Sequence, residues 1–338
     1  LNTGGNAVDA AVAVGYALSV VHPVAGNVGG GGFAIVHMAN GETIALDCRE
    51  KAPYAATRDM DLDAAGKVIP DASTPGYKAA GVPGTVAGLN AMRDRFGTKS
   101  LDALIEPAIR LAEDGFMLTG HNAVSMKAKA DKFAFFDSSR KYFLKEDGST
   151  YAEGERCIQK DLAGVLRRVS EEGNDGGYKG ETAGLIVTDM GKNGGLITHE
   201  DLEDYNVVWR DPVRGSYRGY DIISMSPPSS GGTHLLQILN VMENADIGSL
   251  GFGSSHAIHI MAEAMRYAYA DRSEYMGDPD FVKVPVEQLI SKEYAKTIFD
   301  RIMTNLDKAT PSSEVRPGLP AAPESTNTTH YSVVDKDG

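Results

Sequence analysis

The amino-acid sequence of 338 residues predicts a mixed α/β fold. Helix patterns with a period near 3.6 residues alternate with short, apolar strand patterns, which is typical of that class. In the first helix pattern Asn6 is placed to cap the start, Asp9 favours the positive N-terminal end, and Pro23 stops the helix. The Ala- and Val-rich run after Asp9 carries almost no charge, so this helix is expected to be buried on most sides.

Two strand patterns follow a glycine run, Gly29–Gly32. The apolar stretch from Phe33 to Met38 is expected to pair with the strand in GETIALDCRE, as a hairpin through Ala39-Asn40-Gly41. Further along the chain, Tyr217 to Met225 predicts a single strand that runs into the turn-rich stretch PPSSGG.

Helix patterns dominate the rest of the chain. Pro83 and Gly97 bound one helix, and apolar spacing from Leu101 to Leu111 predicts another, with a break at Pro107. Ser254 or Ser255 is expected to cap the last long helix. The further helices are predicted near residues 160–172, 179–192, 233–244 and 255–276.

The C-terminal part divides into a linker and a short strand pattern. Residues 304–327 are rich in Pro, Ser and Thr without apolar periodicity, so a flexible linker is expected there. The following stretch, THYSVV, alternates in polarity like a strand, and DKDG is a hairpin turn signal. No partner strand follows, so we expect the sequence to stop inside a domain.

Composition excludes several function classes. The net charge of −13 argues against nucleic-acid and anionic-membrane binding. Cys48 and Cys157 do not make a disulfide framework, and two free thiols are favoured over one bridge. The longest apolar run, Ala10 to Val21, is shorter than the ~20 residues that span a bilayer, and no signal peptide is predicted.

Two motifs have a structural and a functional interpretation. The run Gly29–Gly32 formally matches a dinucleotide fingerprint, but a helix precedes it and a strand follows, the reverse of what that motif requires. Close backbone approach, or a pocket wall, is the favoured interpretation. His256 and His259 stand at i, i+3 on a helix, and half-buried helix histidines are favoured there over a metal site.

Arg49 and the PPSSGG stretch also carry alternatives. Arg49, at the end of a predicted strand, either forms an ion pair near Glu50 or provides a guanidinium fork for a carboxylate. In PPSSGG, Ser229 or Ser230 either caps the next helix or contacts a substrate.

Thr328 suggests nucleophilic chemistry. A threonine hydroxyl needs a base, and a threonine at a chain N-terminus can use its own α-amino group. That amine has a pKa of about 7.7–8.0, so a useful fraction is neutral near neutral pH. The α-amino group of Thr328 would be freed by cleavage of the Asn327–Thr328 bond, and the Thr328 hydroxyl could make this cut by attacking the Asn327 carbonyl.

Six stretches together resemble the γ-glutamyltranspeptidases, which are N-terminal-nucleophile hydrolases, over essentially the whole chain. They are GGNAVDAAVAVGYALSVVHPVAGNVGGGGF, DCREKAP, GVPGTVAG, PPSSGG, YAYADRSEYMGDPDF and TTHYSVVDKDG. The resemblance implies a four-layer αββα sandwich, incomplete in this chain, with residues 1–327 as a large-subunit portion. Residues 328–338 then begin a truncated small subunit cut from the same precursor.

Carried over to this sequence, the resemblance implies roles for three residues. Thr328 is the nucleophile, the Asn327–Thr328 bond is the processing site, and Arg49 holds the α-carboxylate of the γ-glutamyl group. The donor is glutathione or another γ-glutamyl compound, and the acceptor is water, an amino acid or a peptide. No metal or cofactor is required, and a periplasmic or secreted location is implied.

The same resemblance places the oxyanion donors in the part of the small subunit that this sequence lacks, so the fragment alone is expected to be inactive. One enzymatic alternative is an acylase acting on cephalosporin side chains or poly-γ-glutamate, and Arg49 argues against cephalosporin side chains because it implies a free α-carboxylate. A non-enzymatic alternative is a nucleotide-binding or scaffold domain built on Gly29–Gly32.

Overall fold

The computed structural model describes residues 1–315 and 329–338, so Asn327 and Thr328 lie outside the described residues. The described chain divides into two compact units. The first comprises residues 1–32, 46–208 and 329–338, and the second comprises residues 33–45 and 209–315.

Helices and strands alternate along the chain, as the sequence predicts. The helices are α1 (Ala7–Val21), α2 (Thr85–Phe96), α3 (Leu101–Glu113), α4 (Gly120–Ala128), α5 (Ala130–Phe135), α6 (Asp137–Phe143), α7 (Lys160–Glu172), α8 (Asp175–Tyr178), α9 (Gly180–Asn193), α10 (His199–Glu203), α11 (Gly231–Glu243), α12 (Ser255–Tyr275), α13 (Val286–Leu289) and α14 (Lys292–Thr304). The strands are β1 (Phe33–His37), β2 (Thr43–Asp47), β3 (Phe116–Met117), β4 (Arg156–Cys157), β5 (Val208–Arg210), β6 (Val213–Tyr217) and β7 (Tyr220–Ser224). Strand order in the three sheets is β1-β2-β5, β3-β4 and β6-β7.

Helix α1 confirms the strongest local prediction. The Asn6 side chain accepts a hydrogen bond from the Asp9 amide, and the Asp9 carboxylate accepts one from the Asn6 amide, which is a complete capping box. Tyr16 and Val20 are fully buried, and the helix ends two residues before Pro23. The predicted helices of residues 160–172 and 179–192 are confirmed as α7 and α9.

Helix α3 overturns the break predicted at Pro107, because the helix continues through that residue. Pro107 lies on the solvent side, whereas Ile105 and Ile109 are buried on the face that contacts α1 and α7. Burial of this face outweighs the hydrogen bond that the proline cannot donate.

The predicted hairpin of β1 and β2 is confirmed. The Met38 amide donates to the Glu42 carbonyl at 2.9 Å, and the Gly41 amide donates to the Met38 carbonyl at 2.8 Å. Gly41 has a φ of 88°, which favours glycine.

The single strand predicted from Tyr217 to Met225 is wrong. Two antiparallel strands, β6 and β7, meet in a tight turn at Arg218-Gly219, with Tyr217 opposite Tyr220. The φ angles of Arg218 and Gly219 are 49° and 85°, as hairpin turns of this kind require.

The core of the second unit lies between α11, α12 and α14, with Ile260, Ala295 and Ile302 buried at its centre. Helix α12 begins at the Ser254 cap, as predicted. Val315 is buried in the same cluster, so the described start of the Pro/Ser/Thr-rich segment packs on this core. The rest of residues 304–327 lies outside the described residues.

The strand predicted for THYSVV is not formed in residues 329–334. Burial still alternates as predicted, with Tyr331 and Val333 half-buried while His330, Ser332 and Val334 are exposed. No neighbouring strand supplies hydrogen bonds to this segment within the described chain, and an isolated extended segment is not a strand.

Candidate active site

The loop that carries Arg49 packs against the glycine run that precedes β1. The Cys48 amide donates to the Gly32 carbonyl at 3.0 Å, and the Gly32 amide donates to the Cys48 carbonyl at 3.2 Å. A Cβ added at Gly31 would lie only 2.7 Å from the Glu50 nitrogen. The glycine run therefore allows two backbones to approach closely, which is the structural interpretation that the sequence favours.

The start of α2 meets the same glycine run. The amides of Gly84 and Thr85 both donate to the Gly30 carbonyl, at 2.6 and 2.9 Å. The first amides of this helix are therefore bound to a carbonyl group, which leaves them unavailable for the phosphate contact that a dinucleotide fingerprint makes.

Two glycines of the stretch GVPGTVAG allow α2 to pack closely against Cys48. A Cβ at Gly88 would lie 2.6 Å from the Cys48 Cβ, and a Cβ at Gly84 would lie 2.7 Å from Cζ of Tyr205. Burial raises the pKa of Cys48 to about 12, and the Asp47 and Glu50 charges add to the effect. The thiol stays protonated near neutral pH and packs as an apolar side chain.

Arg49 lies on this fixed loop with its side chain exposed. Its amide donates to Oδ1 of Asp47 at 3.1 Å, and its carbonyl accepts from the hydroxyl of Tyr205 at 2.8 Å. Within residues 1–315 and 329–338, no ion pair joins the guanidinium to Glu50 or to another carboxylate. The ion-pair alternative is therefore not realised among these residues, and the guanidinium is available to a ligand.

The segment after Thr328 docks on α1. The Tyr331 hydroxyl donates to the Ala11 carbonyl at 2.9 Å, and Oδ2 of Asp335 accepts from the Ala7 amide at 2.9 Å. Burial raises the pKa of Tyr331 to about 12, and Cys48 adds to the effect. The C-terminal segment thus packs on α1 in the first unit, which also contains the Arg49 loop.

Gly15 gives this docking its close fit. A Cβ at this position of α1 would lie 2.8 Å from the Tyr331 hydroxyl and 2.7 Å from Cδ2 of Leu89 on α2. The two helices and the C-terminal segment therefore meet at one glycine, which allows an approach that no larger residue permits.

The serines of PPSSGG have structural partners. Ser229 Oγ accepts from the Gly231 amide at 3.2 Å, and Ser230 Oγ accepts from Nε of Arg272 at 3.0 Å. Ser230 occupies the cap position of α11 without a side-chain cap bond. The cap prediction therefore holds for the position of Ser230 and fails for its hydrogen bond.

The sequence favours two half-buried helix histidines over a metal site at His256 and His259. This prediction is confirmed for His259 and wrong for His256, which is exposed on α12. Among the residues that the structure describes, no three His, Cys, Asp or Glu side chains lie together as a possible metal site. None of the helices in the described ranges is long and apolar enough to cross a membrane.

The chain as a whole matches one protein family. Its family model, described as Gamma-glutamyltranspeptidase, matches residues 1–338. The chain belongs to the gamma-glutamyltranspeptidase family. A chain of the Helicobacter pylori gamma-glutamyltranspeptidase structure is 60% identical, with a TM-score of 0.91, and the match covers 96% of this chain and 93% of that one.

Curated members of the gamma-glutamyltranspeptidase family are longer than this chain. The glutathione hydrolase proenzyme of Escherichia coli (strain K12) is 52% identical over all 338 residues, and the chain spans 58% of its length. The Acylase ACY 1 proenzyme of Pseudomonas sp. (strain SE83) is 40% identical over the whole chain, which spans 60% of that proenzyme. The structural similarity confirms the predicted N-terminal-nucleophile hydrolase class of α/β fold.

Sequence reasoning missed the tyrosines that support the site. Tyr205 and Tyr331 contact the Arg49 loop and α1 across 156 and 320 residues of chain. Two glycines were the available signal of a close contact, because Gly84 faces Tyr205 and Gly15 faces Tyr331.

Proposed function

We propose that the complete protein transfers and hydrolyses γ-glutamyl groups of glutathione and related compounds. The single observation that carries this proposal is the exposed Arg49 guanidinium on a fixed loop, free of any carboxylate within the described ranges. Such a group suits a carboxylate ligand, because its planar fork matches the two oxygens. The family membership of the whole chain supports the same activity.

In this proposal the Thr328 hydroxyl attacks the γ-carbonyl carbon of the donor. Its proton passes to the free α-amino group of Thr328 and then to the departing amine, while the C–N bond of the donor breaks. The γ-glutamyl ester on Thr328 is then attacked by water, an amino acid or a peptide. The acceptor loses a proton to the same amine, and the hydroxyl is regenerated.

We propose that Thr328 acquires its free amine by self-cleavage after Asn327, giving a large subunit that ends at residue 327. Tyr331 anchors the segment three residues further on, and three residues of chain span at most ~10 Å. Tyr331 docks on α1 at the point where α1 meets α2, and α2 packs against Cys48, the residue before Arg49. This docking supports a nucleophile near the Arg49 loop.

An acylase function is the second candidate, favoured by the similarity to the Acylase ACY 1 proenzyme. Arg49 separates these functions less than the sequence suggests. A glutaryl group carries a carboxylate at the place of the α-carboxylate and lacks only the α-amino group. The α-amino group of the donor is therefore the feature that distinguishes them.

Three anilide donors test this proposal with the complete protein. γ-Glutamyl anilide carries both α-groups, glutaryl anilide lacks the amine, and 4-aminobutyryl anilide lacks the α-carboxylate. We expect a preference for γ-glutamyl anilide over both others. A preference for glutaryl anilide would establish the acylase function, and phosphate-ligand binding without turnover would establish the nucleotide-binding alternative.

We also propose a periplasmic or secreted location, which rests on family membership alone. Fractionation of cells that produce the complete protein tests this, and recovery in the cytoplasmic fraction would contradict it.

A further inference from the structure

Tyr205 is far from Arg49 in the sequence, and its hydroxyl donates a hydrogen bond to the Arg49 carbonyl. We propose that the Tyr205 hydroxyl is a positioning group, which fixes the backbone of Arg49 so that the guanidinium points correctly for a donor carboxylate. This inference rests on the proposed function and adds a residue that determines recognition of the α-carboxylate.

The backbone on both sides of Arg49 is hydrogen-bonded. Cys48 exchanges two hydrogen bonds with Gly32, and Lys51 exchanges two with Val82, at 3.2 and 2.8 Å. The Arg49 carbonyl between these pairs accepts from the Tyr205 hydroxyl at 2.8 Å. Within the described ranges, this is the one long-range side-chain hydrogen bond to the Arg49 backbone, and without it the peptide after Arg49 is free to tilt.

Tyr205 is itself held rigidly. Its ring stacks on Tyr178, with centroids 5.7 Å apart and planes 6° from parallel, and Lys51 Nζ lies 5.2 Å from its ring centroid. The Tyr178 hydroxyl donates to the Pro83 carbonyl at 2.8 Å. Burial raises the pKa of Tyr205 above its ordinary range, with Cys48 and Tyr178 contributing, so the hydroxyl remains a donor.

The segment that carries Tyr205 is tied to the same loop at two further points. Lys51 Nζ donates to the Asn206 carbonyl at 2.9 Å, and the Tyr54 amide donates to Oδ1 of Asp201 at 2.6 Å. Tyr205 therefore moves together with the Arg49 loop, and its hydroxyl is a fixed reference for the Arg49 carbonyl. Loss of that hydroxyl should change where the guanidinium points more than whether the loop folds.

Tyr205→Phe in the complete protein tests this directly, because it keeps the ring stack and removes only the hydroxyl. We expect KM for γ-glutamyl anilide to rise about fivefold, as for the loss of one hydrogen bond, with kcat within about twofold. KM for 4-aminobutyryl anilide, which has no α-carboxylate, should not change. In an Arg49→Ala background Tyr205→Phe should add nothing, because the group that it positions is gone.

Tyr178→Phe is the control, since it removes the hydroxyl of the other stacked ring, which donates to the Pro83 carbonyl and accepts from the Ala87 amide and does not contact Arg49. It should cost at least as much stability in urea unfolding, because two hydrogen bonds are lost, and leave KM unchanged. The inference is overturned if KM for γ-glutamyl anilide is unchanged in Tyr205→Phe, if KM rises equally for γ-glutamyl anilide and 4-aminobutyryl anilide, or if KM rises equally in Tyr205→Phe and Tyr178→Phe. In each of these cases the proposed function still stands, provided that the wild-type protein turns over γ-glutamyl anilide. Absence of wild-type turnover overturns the proposed function and this inference together.

Discussion

Gly88→Ala is expected to destabilise the protein even though alanine is the better helix former. The new methyl carbon would lie 2.6 Å from the Cys48 Cβ, and its Sγ is nearer still. Carbon atoms in ordinary contact are about 3.5–4.0 Å apart, so α2 and the Arg49 loop would have to separate by roughly 1 Å. The amide and the carbonyl of Cys48 are both hydrogen-bonded to Gly32, so a shift of the Cys48 backbone would break these bonds.

The magnitude follows from two opposing terms. Overpacking of this severity costs about 3 kcal/mol, and replacing a helix-interior glycine by alanine returns about 1 kcal/mol. The free energy of unfolding should therefore fall by about 2 kcal/mol, the difference of those two values. Cys48→Ala in the same chain should recover only part of the loss, since its Cβ remains in contact.

Gly184→Ala is the matched control, because Gly184 is also inside a helix, α9, and a Cβ there would meet no atom within 4 Å. This variant should gain up to about 1 kcal/mol. Urea unfolding of both variants, followed by circular dichroism, gives the comparison. If Gly88→Ala is as stable as Gly184→Ala, the close contact between α2 and the Arg49 loop is wrong.

Two further substitutions test the cap of α1 and the carboxylate site. Burial raises the pKa of Asp9 but hydrogen bonds from Thr98, Lys99 and Asn6 outweigh it, so the pKa lies below the ordinary 3.8. The stability that the ionised Asp9 carboxylate contributes is complete above about pH 4 and is lost as pH falls through the folded pKa. Asp9→Asn should therefore remove this pH dependence from acid unfolding. If the pH dependence persists in Asp9→Asn, Asp9 is not its source. Arg49→Ala should leave self-cleavage intact and raise KM for γ-glutamyl anilide ~10–100-fold, as for loss of a charged hydrogen bond. Arg49→Lys should give a KM between those of the wild type and Arg49→Ala. An unchanged KM in Arg49→Ala would show that Arg49 does not bind the donor.

Local chemistry made part of the fold predictable. The Asn6 and Asp9 capping box and the Gly41 turn involve residues at most three or four apart, so the signal and the structure occupy the same stretch. The hairpin turn at Arg218-Gly219 was missed because arginine is an uncommon residue at positive φ. Pro107 was misjudged because tertiary burial of the opposite helix face outweighed a local rule.

The site was less predictable because its supports are distant in sequence. Arg49 and Thr328 were found through motif resemblance, and the loop geometry explains how Arg49 is presented. Tyr205 carries no local pattern that links it to Arg49, and only the folded chain brings its hydroxyl to that carbonyl. The chain has 38 glycines, a larger share than the ~7% usual in proteins, and Gly31, Gly84 and Gly88 account for part of this excess because backbones or helices approach closely there.

The most direct test of the central claim is mass spectrometry of the complete gene product together with turnover of γ-glutamyl anilide. We predict two chains, one of which begins at Thr328 with a free amine, and a single uncut, inactive chain for Thr328→Ala. A gene product that remains in one piece and still turns over the donor would contradict the account, because no α-amine of Thr328 would then exist to act as the base.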